Sequence, residues 1–512
     1  MKEYQDNDQQ SSRFLRRCAA PMLLLLAALV AGCGSGGSDS TFGTGSVNAV
    51  QIKLNTPADL TDVSAADYNS NVHGLITGAT LKRWKDDWLT QRPAGITGKL
   101  VVLQVTAGET GYAYFQTAAP AVANTNAVIY LAASAEWVMT RSNGVISTPS
   151  LMLDGPSIDA ALNKYGIDPA NDMIVLAQGT ASSSNVMSQG RAWFALHYWG
   201  VDAKHLAILN GGNKWQFDSG AMTAADFSTA AGSPPSLPAG TYSVKNLPVD
   251  NTTLVATVGD MLAVVPPTDT SMKGSGVFLW DARTITQFSA GQMRELNDGA
   301  AAGCGTAPYC NAASTYNYMG SFQNAGSRQG HPNGALDLNF ANLLDATKGY
   351  SFKPMAQLAS YMNGEVDATG YGMLNGSYKL VGAGNAYQPG DVTYVWCETT
   401  FRAMITGMAS SVILGHPTRF YDGGMIEWNS LSYLSDATGN LILPANSPWR
   451  TDLKSFSRPA SNMNLVATRQ ITDAYAQNSN ALIIMDKAYK TPSAANTSAA
   501  GGGAAPANPC GG

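Results

Sequence analysis

The sequence predicts an α/β protein of two successive domains, each built on a parallel sheet flanked by helices. Three observations carry this expectation. The chain has 512 residues, too many for one ordinary core. Apolar runs of strand length, "GKLVVLQV" (98–105), "DMIVLAQG" (172–179), "GVFLWDAR" (276–283) and "DVTYVWCE" (391–398), alternate with helical patterns, as βαβ units require. Two stretches also repeat one order of features: "RAWFALHYWGVDAKHLAILNGGNKW" from Arg191 to Trp215, and "RAMITGMASSVILGHPTRFYDGGMIEW" from Arg402 to Trp428. Each runs from an arginine through an apolar helix and a Gly-containing turn into a short strand, then Gly-Gly and a tryptophan. A period of roughly two hundred residues means two copies of a domain rather than a solenoid.

Taken in order, the chain opens with Arg13, Arg16 and Arg17 ahead of the apolar "CAAPMLLLLAALVAGC", long enough for an export signal and short for a spanning helix. Val30, Ala31, Gly32 and Cys33 resemble the bacterial lipobox, which implies a signal peptide over 1–32 and lipidation of Cys33; a plain signal peptide with Cys33 incidental is the alternative. Each buried acyl CH₂ adds ~0.8 kcal/mol of membrane affinity, so several chains make a lasting anchor. The Gly/Ser-rich stretch 33–46 reads as a flexible tether. Gly34 after the lipidated position resembles the default outer-membrane sorting signal of Gram-negative lipoproteins. The composition is globular, with 45% hydrophobic, 9% aromatic and 13% charged residues, and the net charge of -5 gives no reason to expect nucleic acid as a partner.

The first domain, 47–245, has no cysteine, since none occurs between Cys33 and Cys304. After its strand, "QGTASSSNVMSQGR" (178–191) offers hydroxyls and amides only, so the domain reads as catalytically empty. Trp193, Trp199 and Trp215 read as core or domain-interface packing.

The second domain, 246–490, carries the chemistry. In "VTYVWCETTFRAMITGMASSVILG" (392–415) a strand delivers Cys397 to the carboxyl edge of a sheet, and the chain turns at once into a helix beginning near Phe401. Ligands of open α/β sheets sit at that edge. There the amides of 398–402 have no intrahelical partner, and the helix dipole favours an anion such as a thiolate. A thiolate held there is a nucleophile.

Short strings in fixed order give this reading a family. "LWDAR" (279–283), "GHPNGALDLNF" (330–340), "CETTFR" (397–402) and "YDGGMIEW" (421–428), with "LNKYGIDPANDMIVLAQG" and "AILNGGNKW" in the first half, resemble the tandem-domain rhodaneses, a sulfurtransferase family. The resemblance runs from about residue 75 to about residue 435. It implies two rhodanese-like domains, Cys397 as the nucleophile that takes sulfur from a donor, holds it as a persulfide and passes it to an acceptor, and a substrate loop of Glu398, Thr399, Thr400, Phe401 and Arg402. Asp281, Arg283 and His331 take supporting positions. The implied partners are a small sulfur donor and a thiol or other nucleophilic acceptor. The spacing C-x4-R differs from the C-x5-R of phosphatases of related fold, whose additional residue widens the cradle for phosphate. Arg402 then binds a sulfur-bearing anion, ties the loop to a carboxylate, or is a helix-surface arginine.

Two departures from the family stand out. Glu398 directly after the cysteine repels an anionic donor and opposes the helix dipole. Gln287 occupies the position where a second arginine often follows the Asp-x-Arg strand end. Asp281 and Arg283 also fit a purely structural pair, and His331 fits a satisfied structural histidine as well as a general base. The histidines, His73, His197, His205, His331 and His416, form no ligand set by spacing, no C-x-x-C-H haem site occurs, and no metal or cofactor is expected.

Two segments fall outside the family outline. An insertion, 296–329, contains Cys304 and Cys310 in "CGTAPYC", a spacing that suits a small disulfide loop, two free thiols being the alternative. A tail, 491–512, reads as disordered and ends near Cys510, either a resolving or partner-binding thiol or an unpaired one. A second functional class remains open. A rhodanese fold on a lipoprotein resembles proteins of bacterial extracellular electron-transfer systems, where it would act as a binding module in a membrane protein complex beside multihaem cytochromes.

Overall fold

The computed structural model describes residues 74–117, 127–142, 147–289, 330–430, 447, 449 and 481–491. The expected signal segment with Cys33, the tether, His73, the insertion with Cys304 and Cys310, and the tail beyond residue 491 with Cys510 lie outside the described residues. Among the described residues no helix is long and apolar enough to cross a membrane.

The first half contains β1 (Leu75–Ile76), α1 (Gly78–Asp86), β2 (Leu100–Gln104), β3 (Ala127–Leu131), α2 (Gly155–Tyr165), β4 (Met173–Ala177), α3 (Ser183–Tyr198), β5 (Leu206–Leu209) and α4 (Asn213–Asp218). Its sheet has the order β1-β5-β4-β2-β3, and every pair is parallel. Every residue of β2 and β4 is buried, because helices cover both faces of the sheet; their sequences accordingly read as unbroken apolar runs rather than alternating ones. Local signals set the helices. In α2, Asp154 caps the Ser157 amide, a proline stands in the first turn and Gly166 ends the helix at φ 59°, the left-handed position that glycine takes without a Cβ clash.

The second half contains β6 (Val277–Asp281), β7 (Leu336–Asp337), β8 (Val392–Trp396), α5 (Phe401–Met408) continued by a π turn over Ala409–Ile413, β9 (Thr418–Phe420) and α6 (Gly424–Ser430). Its sheet runs β7-β6-β8-β9, again all parallel. Val255 adds a parallel bridge to Phe420 beyond β9, where β1 stands in the first half. The strand order is thus the same in both halves, and the sequence repeat is a repeat of topology.

The halves meet through α3 and α5. A Cβ on Gly190 would lie 2.5 Å from the Met404 Cβ, so the helices approach at backbone distance. One buried cluster is continuous across the junction, from Leu103, Leu176, Trp193 and Trp199 to Trp280, Val395, Cys397, Met404 and Phe420. Trp193 and Trp199 are buried there, with the Trp193 ring 6.3 Å from that of Phe420. Trp215 is half-buried and packs on Gly349 of the second half. A separate cluster covers the far face of each sheet. The last helix, α7 (Ala481–Lys490), returns to the first half: Asp486 pairs with Arg141 at 2.5 Å and accepts from the Tyr198 hydroxyl at 2.7 Å.

Candidate functional site

Strand β8 ends at Trp396, and the next four residues carry the chain into α5. Cys397 is buried, 1% exposed, and is a free thiol. Thr400 occupies the N-cap of α5 at φ 64° and makes no side-chain cap. A β-branched residue rarely adopts this conformation. Its hydroxyl instead donates to the carbonyls of Tyr421 (2.8 Å) and Asp422 (2.9 Å). With the cap forgone, no hydrogen bond among the described residues ends on the amides of residues 399–403.

In the corresponding loop of the first half three amides are taken by side chains of that half. There the Thr180 amide donates to Thr106 Oγ1 (3.2 Å), Ala181 to Glu109 Oε1 (3.3 Å) and Ser182 to Gln178 Oε1 (3.4 Å). Ser182 caps α3 in the ordinary way, accepting from the Asn185 amide. Sequence shows the first loop to lack a cysteine; the structure adds that the amides of Thr180, Ala181 and Ser182 are already occupied.

The loop is held from the opposite side by α6. Met425 donates its amide to the Cys397 carbonyl at 2.9 Å, and Ile426 donates to that of Glu398 at 3.3 Å. Gly424 has φ 57°, and a Cβ there would stand 2.5 Å from the Glu398 oxygen and 2.8 Å from that of Cys397. The second glycine of "YDGGMIEW" is therefore needed for close backbone approach.

Around the loop the charges are mostly answered. Asp281 and Arg283 form a fully buried pair: Nη2 lies 2.6 Å from Oδ2 and Nε 2.9 Å from Oδ1. Arg283 Nη1 also lies 3.7 Å from Glu398 Oε2. Burial opposes the Arg283 charge, but the Asp281 and Glu398 carboxylates outweigh it and hold the guanidinium above its usual range. Glu398, expected from the sequence to oppose an anion at the site, thus has a buried cation beside it. Arg402 donates to the side-chain oxygen of Gln287, the residue at the position that the sequence pattern marks for a second arginine. His331 is placed on other partners: Nδ1 faces the Phe288 carbonyl at 2.9 Å, Nε2 faces Asp269 at 3.2 Å, and its ring stacks on Phe288 at 3.8 Å.

Sequence reasoning missed three residues. Asp337 aligns with Asp281, which aligns with Trp396, so Asp337 sits on the carboxyl edge two strands from the cysteine loop. Neither of its carboxyl oxygens has a hydrogen-bond partner among the described residues. Burial pushes it well above the ordinary carboxyl range, helped by Asp281 and opposed by Arg283 and Arg402. Its signal was the acidic residue inside "GALDLNF". Asp422, buried next to the Thr400 anchor, pairs with Arg191 of the first half at 2.5 Å; both lie inside strings that the repeat had already aligned. A cleft of about 400 Å³ between the halves, lined by Thr77, Asn210, Trp215 and Lys348 among others, does not include the Cys397 loop. Among the described residues no group of three or more His, Cys, Asp or Glu is placed to hold a metal ion.

No protein-family model and no curated protein sequence matches the chain. Remote similarity extends to several solved structures. The Tum1 protein from Saccharomyces cerevisiae is similar at 13% identity and a TM-score of 0.40, over 70% of this chain and 95% of that one. The anaerobic ergothioneine biosynthesis enzyme from Chlorobium limicola, solved in complex with its natural substrate trimethyl histidine, is similar at 11% identity and a TM-score of 0.42, over 71% of this chain and 69% of that one. YnjE is similar at 17% identity and a TM-score of 0.37, over 71% and 65%. Likeness this distant leaves the chemistry to the geometry of the loop itself: a buried thiol between a parallel strand and a helix N-terminus whose amides are open.

Proposed function

We propose that the protein moves sulfane sulfur through a persulfide on Cys397. The observation that supports this best is the contrast between the two loops: amides 399–403 have no hydrogen-bond partner among the described residues, whereas amides 180–182 of the cysteine-free loop are taken by Thr106, Glu109 and Gln178. Open amides at a helix N-terminus suit an anionic sulfur. In the reaction the Cys397 thiolate attacks the outer sulfur of a donor R–S–S⁻, the S–S bond of the donor breaks, and R–S⁻ leaves with the electron pair. An acceptor thiolate then attacks the terminal sulfur and regenerates the Cys397 thiolate, so no net oxidant or reductant is consumed. With a thiol 1% exposed, the bound sulfur is shielded from water, and donor access requires movement around the loop. The donors that fit are those without high negative charge, because Asp281 and Glu398 already surround Arg283. The lipobox-like segment ending at Cys33 supports a lipid-anchored protein at the outer membrane.

The burial of Cys397 also favours a second reading, a rhodanese-like assembly module in which the thiol does no chemistry. One experiment separates the two. The full-length protein, solubilised in detergent, is exposed briefly to thiosulfate, mercaptopyruvate or polysulfide and analysed by peptide mass spectrometry beside Cys397→Ser. Sulfur transfer predicts a cyanide-labile gain of one sulfur atom on the Cys397 peptide of the wild type. If a folded wild type gains no sulfur there from any donor, the assembly reading takes its place.

A further inference from the structure

The proposed chemistry belongs to the second half, yet the deepest support of its loop comes from the first. Arg191, in the middle of α3, is 0% exposed. Its Nη1 pairs with Asp422 Oδ1 at 2.5 Å, and its Nη2 donates to the Ser150 carbonyl at 2.8 Å. The guanidinium carbon stands 5.5 Å from the ring centre of Phe401, the first residue of α5. The second oxygen of Asp422 accepts the Met152 amide, also from the first half, at 2.9 Å. The carbonyl of the same Asp422 accepts the Thr400 hydroxyl at 2.9 Å. Two groups of the cysteine-free half therefore fix the residue on which the left-handed turn before α5 is hung.

We infer that Arg191 is a positioning residue for the Cys397 loop: its buried pair with Asp422 sets the backbone from which Thr400 turns and α6 meets the Cys397 and Glu398 carbonyls. The inference rests on the sulfur-transfer reading. A strained residue such as Thr400 persists only where its surroundings over-determine it, and Asp422 is the part of those surroundings that Arg191 holds. Without that anchor Thr400 can relax, and the open amides no longer aim at one point beside the thiol. A misplacement of about 1 Å is enough to cost roughly 10²-fold in rate. The Arg141–Asp486 pair offers an internal comparison. It too is buried and ties the first half to a helix from beyond the second sheet, but its other partners among the described residues, Leu153 and Tyr198, lie away from the loop.

The test uses full-length protein in detergent. Removing Arg191 alone leaves a buried unpaired carboxylate, so the pair is replaced together, Arg191→Met with Asp422→Asn, beside Arg191→Lys and the comparison Arg141→Met with Asp486→Asn. Thermal unfolding, the rate of Cys397 persulfide formation from polysulfide, and the pH profile of Cys397 alkylation by iodoacetamide are measured. Both paired replacements are expected to lower the melting temperature. Only the Arg191 pair should slow persulfide formation, by roughly 10- to 100-fold at saturating donor, and move the alkylation profile, with Arg191→Lys recovering part of each. An unchanged rate and profile in the folded Arg191 variants, or equal slowing in the Arg141 pair, would overturn the inference. If the paired variant fails to fold, Arg191→Lys carries the same readouts. A wild type that alkylates at Cys397 but never gains sulfur overturns the sulfur-transfer reading instead; the alkylation profile, which needs no donor, still decides whether Arg191 positions the loop.

Discussion

Glu427 shows how the surroundings of the loop respond to pH. It lies in α6, whose preceding residues donate to the Cys397 and Glu398 carbonyls. Burial pushes its carboxyl up to about 7; the Tyr421 hydroxyl favours the ionised form and the Asp422 carboxylate disfavours it. The folded state thus binds this proton more tightly than the unfolded chain does. The stabilisation is complete below the ordinary value of 4.5 and is lost as pH rises toward about 7. Over that window the group accounts for roughly 3 kcal/mol. Glu427→Gln should remove this part of the pH dependence and make the variant the more stable protein above neutral pH. Urea unfolding at a series of pH values checks it, and superimposable profiles would refute the assignment. At this scale the sequence was most informative about the loop itself. Cys397 and Thr400 could be placed from strand length and the helical pattern, whereas the Glu427 environment depends on what α6 is packed against.

Among elements, the contact that matters most is the crossing of α3 and α5. Gly190 permits it, since a Cβ would meet the Met404 Cβ at 2.5 Å and the Met408 Cε at 3.0 Å. Gly190→Ala should separate the helices and cost about 1–3 kcal/mol, as overpacking of a fitted contact does; an unchanged urea midpoint would show that the crossing is looser than the distances imply. The four central strands, β2, β4, β6 and β8, were legible because both-sided burial leaves uninterrupted apolar runs. The starts of the helices were less so. The repeat aligned Arg191 with Arg402, and that match holds toward the following strands. Arg402 is the second residue of its helix, however, whereas α3 begins at Ser183, roughly two turns before Arg191. The additional turns carry Arg191 away from its own sheet edge and across to the neighbouring half.

Over the whole molecule the two halves share a core. One apolar cluster includes residues of both sheets and of α7, so the folded unit is larger than either half. Ending the chain at residue 480 removes Asp486 and deprives Arg141 of its carboxylate. The expected loss is about 3–5 kcal/mol, seen as a lower urea midpoint for the entire protein in one transition. A truncated protein with the full-length midpoint would mean that α7 is dispensable. Nothing in the local pattern of "ALIIMDKAYK" says which half this helix covers, because an amphipathic stripe specifies that a face is buried and not against what.

The sequence by itself determined the α/β class, the repeat, the identity of the central strands and the placement of one thiol between a strand and a helix, because each of these is written in local periodicity and spacing. Tertiary structure alone decided what stands around and beside that thiol's loop: the Arg283 charge beside Glu398, the Asp337 carboxyl on the same sheet edge without a hydrogen-bond partner among the described residues, and the reach of Arg191 from the cysteine-free half to Asp422. Those contacts join residues far apart in the chain, and whether a buried charge is paired depends on the packing that brings them together rather than on the residues adjacent to either one.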